Sequence, residues 1–164
     1  MKYTGAWMRV DKVNPTSEYE IRTVYTKLLS SCKDLEYLSF HDFLSCRNDI
    51  FCLVDSIYGN IIGILACRRS TMDELGIDKI DYHCQANNSV YKIEAFHCTD
   101  NVSGENLANF LNTALVDKND GFIYYKPSYP AIIYDSFKRQ NVRFDRIDLD
   151  DGSYYYIKKP TVRQ

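Results

Sequence analysis

The chain has 164 residues, 45% of them apolar and 26% charged, with a net charge of −2 at neutral pH. That is enough chain for one soluble domain, and too nearly neutral for global attraction to nucleic acid or an anionic membrane. No apolar run approaches the roughly 20 residues of a membrane span, and the N-terminal stretch lacks the apolar core of a secretion signal, so a cytoplasmic protein is expected.

Residues 6–13 alternate Trp7, Arg9 and Asp11 against Met8, Val10 and Val13, which predicts a short strand stopped by Asn14 and Pro15. Ser17 and Glu20 form a Ser-x-x-Glu capping box ahead of a helical stripe of Ile21, Val24, Tyr25, Leu28 and Leu29. A second short helix is expected over 38–46, with Ser39 as its cap. Residues 50–58 and 61–69 read as apolar strands joined by a tight turn at Gly59 and Asn60. Residues 70–88 carry no firm period and predict a loop with one helical turn near 72–75.

Val90 to Cys98 reads as a strand, and 105–116 as a helix with Leu107, Phe110, Leu111, Ala114 and Leu115 on one apolar stripe. The polar turn between them contains Gly104. Residues 121–125 predict another strand. A helix is expected from Pro130 through Ile133, Tyr134 and Phe137 to Asn141, followed by a hairpin of 142–149 and 153–159 across Asp150, Asp151 and Gly152. From about Lys158 the basic tail is expected to fray. No repeat or linker divides the chain, so one domain over residues 1–164 is expected.

The six cysteines (Cys32, Cys46, Cys52, Cys67, Cys84 and Cys98) are expected to be reduced, buried thiols. The pairs His83-Cys84 and His97-Cys98 lack the Cys-x-x-Cys or Cys-x-x-His spacing of a zinc site, so no metal is expected. Among the 14 tyrosines, Tyr154, Tyr155 and Tyr156 suit a surface that binds a protein partner.

A strand that breaks into a turn and then a helix start leaves several backbone N–H groups without intrahelical partners, and the helix dipole adds to their attraction for an anion. Here that turn lies between Cys98 and Leu107. The spacing around it resembles the GNAT superfamily, the acyl-CoA-dependent N-acyltransferases, which carry Val-x-Pro on the fourth strand and then a Q/R-x-x-G-x-G/A loop. Phe96 takes the valine position, Cys98 the proline position, Asn101 that of Gln or Arg, Gly104 the first glycine, and Asn106 that of Gly or Ala. The order of elements (strand, two helices, hairpin, strand, helix, strand, helix, hairpin) is similar to the family's from end to end. A helix ending before an aromatic strand, Phe137 to Asn141 and then Phe144, is also family-like.

The resemblance implies an α+β fold with a mixed, mostly antiparallel sheet of six to seven strands flanked by about four helices. It implies acyl transfer from acetyl-CoA or a related thioester to an amine, with Phe96, Cys98 and the loop Asn101, Val102, Ser103, Gly104, Glu105 and Asn106 holding the cofactor. Glu94, two residues before Phe96, is the candidate base, and Tyr134 the candidate acid. Asn106 places a side chain where the family keeps Gly or Ala, Glu105 adds negative charge beside the anion site, and Phe137 stands in the best-spaced tyrosine position. Two functions stay open on these residues. One is a non-catalytic structural or binding protein with an eroded loop, similar to small internal virion proteins of short-tailed phages and then located in a virion. The other is an N-acyltransferase that uses acetyl-CoA.

Overall fold

The computed structural model describes residues 8–32, 38–75, 89–99, 102–126, 138 and 143–160. Seven strands are formed: β1 (Met8–Lys12), β2 (Ile50–Asp55), β3 (Ile61–Ser70), β4 (Val90–Cys98), β5 (Phe122–Tyr125), β6 (Asp145–Asp148) and β7 (Tyr154–Lys158). Among the described residues the helices are α1 (Glu18–Ser31), α2 (Phe40–Leu44), α3 (Met72–Leu75) and α4 (Gly104–Leu115). The strands hydrogen-bond in the order β1-β2-β3-β4-β5-β7-β6. β4 and β5 run parallel, with Val90 opposite Phe122 and Lys92 opposite Tyr124, as a strand–helix–strand order predicts. The pairs β1/β2, β2/β3, β5/β7 and β6/β7 are antiparallel, so the sheet is mixed and the fold is α+β. Packing divides the chain into two compact units, residues 1–68 with 94–114, and residues 69–93 with 115–164.

In the first unit, α1 starts where its cap directs it. Ser17 is extended, and its hydroxyl accepts the Glu20 N–H at 3.2 Å. The return half of the capping box goes elsewhere, because the Glu20 carboxylate accepts from the Asn14 N–H at 3.4 Å. Ile21, Val24 and Leu28 are buried, while Tyr25 is half-buried and donates its hydroxyl to the Leu38 carbonyl at 2.6 Å. Ser39 caps α2 by accepting the Asp42 N–H at 3.0 Å, and Phe43 on that helix has no exposed surface. All six residues of β2 are buried, as befits a strand covered on both faces.

The β2–β3 connection is longer than a two-residue turn. The strand was expected to run to residue 58, but it stops at Asp55, whose side chain and backbone organise the loop. Its Oδ1 accepts the Ile57 N–H at 2.9 Å, its carbonyl accepts the Gly59 N–H at 2.7 Å, and its own N–H donates to the Asn60 carbonyl at 2.9 Å. An aspartate that folds the chain back on itself competes with the sheet ladder, and it wins here. Gly59 takes the positive φ of 73° that this loop requires.

The second unit holds β5, buried at every position, between the start of β4 and β7. Val90, Phe122, Tyr124 and Ile157 form its core, with Ile147 and Tyr155 packed against them. Ser70 bridges into this core: its hydroxyl lies 2.7 Å from the Tyr124 hydroxyl and donates to Glu74 of α3 at 2.8 Å. Gly121 admits no side chain, because a Cβ there would stand 2.4 Å from the Ser89 carbonyl oxygen. The β6–β7 hairpin turns through Gly152 at φ 88°, as the Asp-Asp-Gly sequence predicts. The helix expected over 130–141, with Tyr134 and Phe137, lies outside the described residues.

Lys158 closes the last strand, within the 153–159 expected for it. It is the last residue of β7, 6% exposed, and donates to the Lys159 carbonyl at 3.2 Å. Burial pushes its ammonium below the ordinary 10.5, opposed by the Asp120 carboxylate. The unfolded chain therefore binds the proton more tightly than the folded one. The penalty is present in full below the folded pKa, and it is relieved as pH rises through the window up to 10.5. Measured by urea unfolding, the wild type should gain stability relative to Lys158→Met as pH rises through that window. A pH-independent difference would remove this account.

Candidate functional site

The candidate site is built on the part of β4 and α4 that lies in the first unit. Along β4, Val90, Ile93, Ala95 and Phe96 are buried, and Glu94, His97 and Cys98 are half-buried. Glu94 meets Arg68 of the neighbouring strand β3: Arg68 Nε donates to Glu94 Oε1 at 3.0 Å. The two side chains retain only 20% and 12% of their exposure respectively, so water screens this pair far less than a surface pair. Cys46, just after α2, locates both charges. Burial is the main cause that pushes its thiol up to about 12; Glu94 raises it further, and Arg68 lowers it. The carboxylate and the guanidinium therefore lie within electrostatic reach of the Cys46 thiol.

At the end of β4 the chain stays on the sheet for one more residue, with the Thr99 N–H donating to the Ile62 carbonyl at 2.9 Å. Cys98 lies over Gly63 of β3, where an added Cβ would stand 3.6 Å from its sulfur and 3.1 Å from the Leu53 Cβ. Val102 then closes a turn back to the Thr99 carbonyl. Ser103 is the cap of α4. Its hydroxyl accepts the Asn106 N–H at 3.2 Å and its carbonyl accepts the Leu107 N–H at 2.9 Å. The cap therefore takes one of the four N–H groups that a helix start leaves over, that of Asn106, and the N–H groups of Gly104 and Glu105 are among the other three, the kind of donors that can hold an anion.

Asn106, read from the sequence as an obstruction, is 7% exposed. Its side chain presents little surface to solvent, and its N–H is held by the Ser103 hydroxyl. Gly104 and Ser103 are half-buried and Glu105 is exposed, so the acidic side chain can turn into solvent. The turn thus fits a pyrophosphate through its backbone and the Ser103 hydroxyl, with Glu105 as the opposing charge. Asn101 and the candidate acid Tyr134 lie outside the described residues.

Sequence reasoning missed Arg68. The signal was present: an arginine inside the apolar run 61–69 needs a carboxylate, and Glu94 is the only acid in Val90 to Cys98. Elsewhere, Cys32, Cys46, Cys52, Cys67 and Cys98 are in no disulfide, and Cys84 lies outside the described residues. Among the described residues no group of three or more His, Cys, Asp or Glu could hold a metal ion, and no helix is long and apolar enough to cross a membrane. The tyrosines of β7 are half-buried in ring contacts. Tyr155 meets Tyr124 edge-on at 5.8 Å, Tyr156 stacks on Tyr125 at 5.3 Å, and Arg146 lies 3.8 Å from the Tyr154 ring centre.

This mixed sheet, with parallel β4 and β5 and a helix starting at Gly104, is the GNAT acetyltransferase fold. A GNAT-family acetyltransferase from Listeria monocytogenes superposes with a TM-score of 0.60 at 14% identity, over 97% of this chain and 99% of its own. A Drosophila melanogaster polyamine N-acetyltransferase gives 0.62 at 11% identity, over 93% and 99%. A GNAT-family acetyltransferase from Streptococcus agalactiae gives 0.61 at 11% identity, over 99% and 100%. No family model matches the sequence, and the search of curated proteins found no match.

Proposed function

We propose that this chain binds an acyl-CoA thioester at the turn between β4 and α4 and transfers the acyl group to an amine. The observation that carries the reading is a continuous β4–α4 segment that holds both a carboxylate shielded from water, Glu94, and a helix start with backbone donors at Gly104 and Glu105. The fold likeness to N-acetyltransferases over nearly the whole chain supports it. When bound, the thioester supplies an activated acyl carbon. Gly104 and Glu105 N–H groups and the Ser103 hydroxyl hold the pyrophosphate, and Glu94 takes a proton from the incoming ammonium so that its nitrogen can form the C–N bond. The C–S bond breaks in that exchange, and of the two protons left on the nitrogen one neutralises the departing sulfur while the other stays on the amide.

A second reading keeps the fold without the chemistry, as a binding or structural protein. It is favoured by Ser103, which already occupies one helix donor, and by Arg68, which already engages the candidate base. Calorimetric titration of the unmodified chain with acetyl-CoA separates the two. The enzyme reading expects a dissociation constant in the micromolar range, about −7 to −8 kcal/mol. No heat of binding up to millimolar acetyl-CoA would reject it and leave the second reading.

A further inference from the structure

We infer that two copies of this chain join edge to edge through β1, antiparallel and centred on Val10, and so continue the sheet across a two-fold axis. The inference is independent of the acyltransferase reading. Among the described residues β1 pairs with β2 alone, so its other side is an open edge. Which backbone groups face that edge follows from the ladder. The Val13 N–H donates to the Ile50 carbonyl, whereas the N–H of Asp55, the residue opposite Met8, turns away to Asn60. Hydrogen-bonding direction alternates along an antiparallel pair. Arg9 and Asp11 therefore point their N–H and carbonyl groups at β2, and Met8, Val10 and Lys12 point theirs outward.

A two-fold through Val10 uses every one of those outward groups. Val10 then faces the partner's Val10, and Met8 the partner's Lys12, as hydrogen-bonded pairs. Arg9 falls opposite the partner's Asp11 in the non-hydrogen-bonded pairs, where side chains come closest. The sequence of β1, Met-Arg-Val-Asp-Lys, is thus self-complementary about its middle residue. An axis through Arg9 or Asp11 instead sets like charges face to face and presents backbone groups already bonded to β2. Within one chain Arg9 Nε meets Asp11 at 3.0 Å, and 52% and 47% of the two side chains remain exposed. Among the described residues only the Nε of Arg9 is engaged there, so its terminal nitrogens can reach the partner's Asp11 without opening that pair. The surroundings also suit a protein contact. A groove of about 540 Å³ lies between β1 and α1, lined by Arg9, Asp11, Cys52, Val54, Tyr19 and Thr23. Tyr19 is 82% exposed, and the exposed Ile57 and Tyr58 directly precede Gly59, which also lines the groove. Three of the four exposed large apolar side chains among the described residues therefore gather round this edge, where scattered ones would mean nothing.

Sedimentation equilibrium of the unmodified chain should show reversible assembly to twice its 19.1 kDa, with a dissociation constant in about the micromolar range. Val10→Pro removes the outward N–H at the axis, a change that an edge strand tolerates, and should weaken assembly at least about tenfold. Arg9→Asp and Asp11→Arg each set like charges opposite one another and should weaken it by a similar factor. Mixed in equal amounts, these two charge variants regain opposite charges at every facing pair. A heterodimer within about threefold of the wild-type affinity should then form. Thermal melts of each variant check the fold, and where Val10→Pro proves unfolded the charge variants decide. A wild type that stays monomeric up to about 0.5 mM, or a dimer indifferent to the substitutions, overturns the inference. A mixture that assembles no more tightly than its separate parts overturns the facing of Arg9 with the partner's Asp11, and with it the axis at Val10.

Discussion

Glu94→Gln is expected to slow acyl transfer by about two to four powers of ten while leaving acetyl-CoA affinity within about twofold. The substitution removes the proton acceptor but retains an oxygen facing the Arg68 Nε, which now donates to it at 3.0 Å. It also removes the negative charge that faces the Arg68 guanidinium where water is scarce, which should cost about 2 kcal/mol of folding stability. The two effects are separable, because at 25 °C a protein with ordinary stability stays folded after that loss. Initial rates at saturating acetyl-CoA, set beside a thermal melt of the same preparation, make the comparison. A variant that stays folded and transfers at the wild-type rate would take Glu94 out of the chemistry.

Phe110→Ala is expected to destabilise the fold by about 3–5 kcal/mol. Phe110 has no exposed surface and lies on the apolar stripe of α4 with Leu107, Leu111, Ala114 and Leu115, all buried. Truncation removes the largest side chain of that stripe and leaves a void that a short helix held at both ends can close only in part. For a chain of this length such a loss lowers the melting temperature by roughly 6–20 °C. Because the same helix presents Gly104 and Glu105, acetyl-CoA binding should weaken in parallel. A melt shifted by under about 3 °C would mean that α4 is not the anchor of its unit.

The β4–α4 segment was legible because two periods meet there with little ambiguity. Val90–Cys98 is observed with the bounds expected, and α4 begins at Gly104, one residue before the expected start. The capping serines were equally readable, since Ser17 and Ser39 each sit three residues before the N–H they accept. The β2–β3 loop was misjudged for a physical reason. Asp55 ends an apolar run and looks like its polar continuation, yet its carboxylate and carbonyl gather the following N–H groups and stop the strand. The last strand was expected over 153–159 and is observed as Tyr154–Lys158, with Lys158 buried at its end beside Ile157, which pairs with Tyr124.

The site was half legible. Glu94 stood out as an acid on an apolar strand, but its partner is 26 residues away, and only the sheet order brings β3 beside β4. Asn106 was expected to hinder the approach of a phosphate, and the acetyl-CoA titration is the measurement that decides it; the structure shows the residue buried in the first turn of α4. Tyr134 cannot be compared in this way, since it lies outside the described residues.

The graded exposure of the cysteines turns the chain into its own reporter. Cys98 and Cys32 are half-buried, whereas Cys46 and Cys52 are buried with thiols pushed up to about 12 by desolvation, so at neutral pH almost none of either is thiolate. Alkylation of Cys46 must then wait for the segment after α2 to come away from the sheet, and that of Cys52 for β2 to be uncovered. Their labelling rates measure the free energy of those openings, region by region and without any added probe.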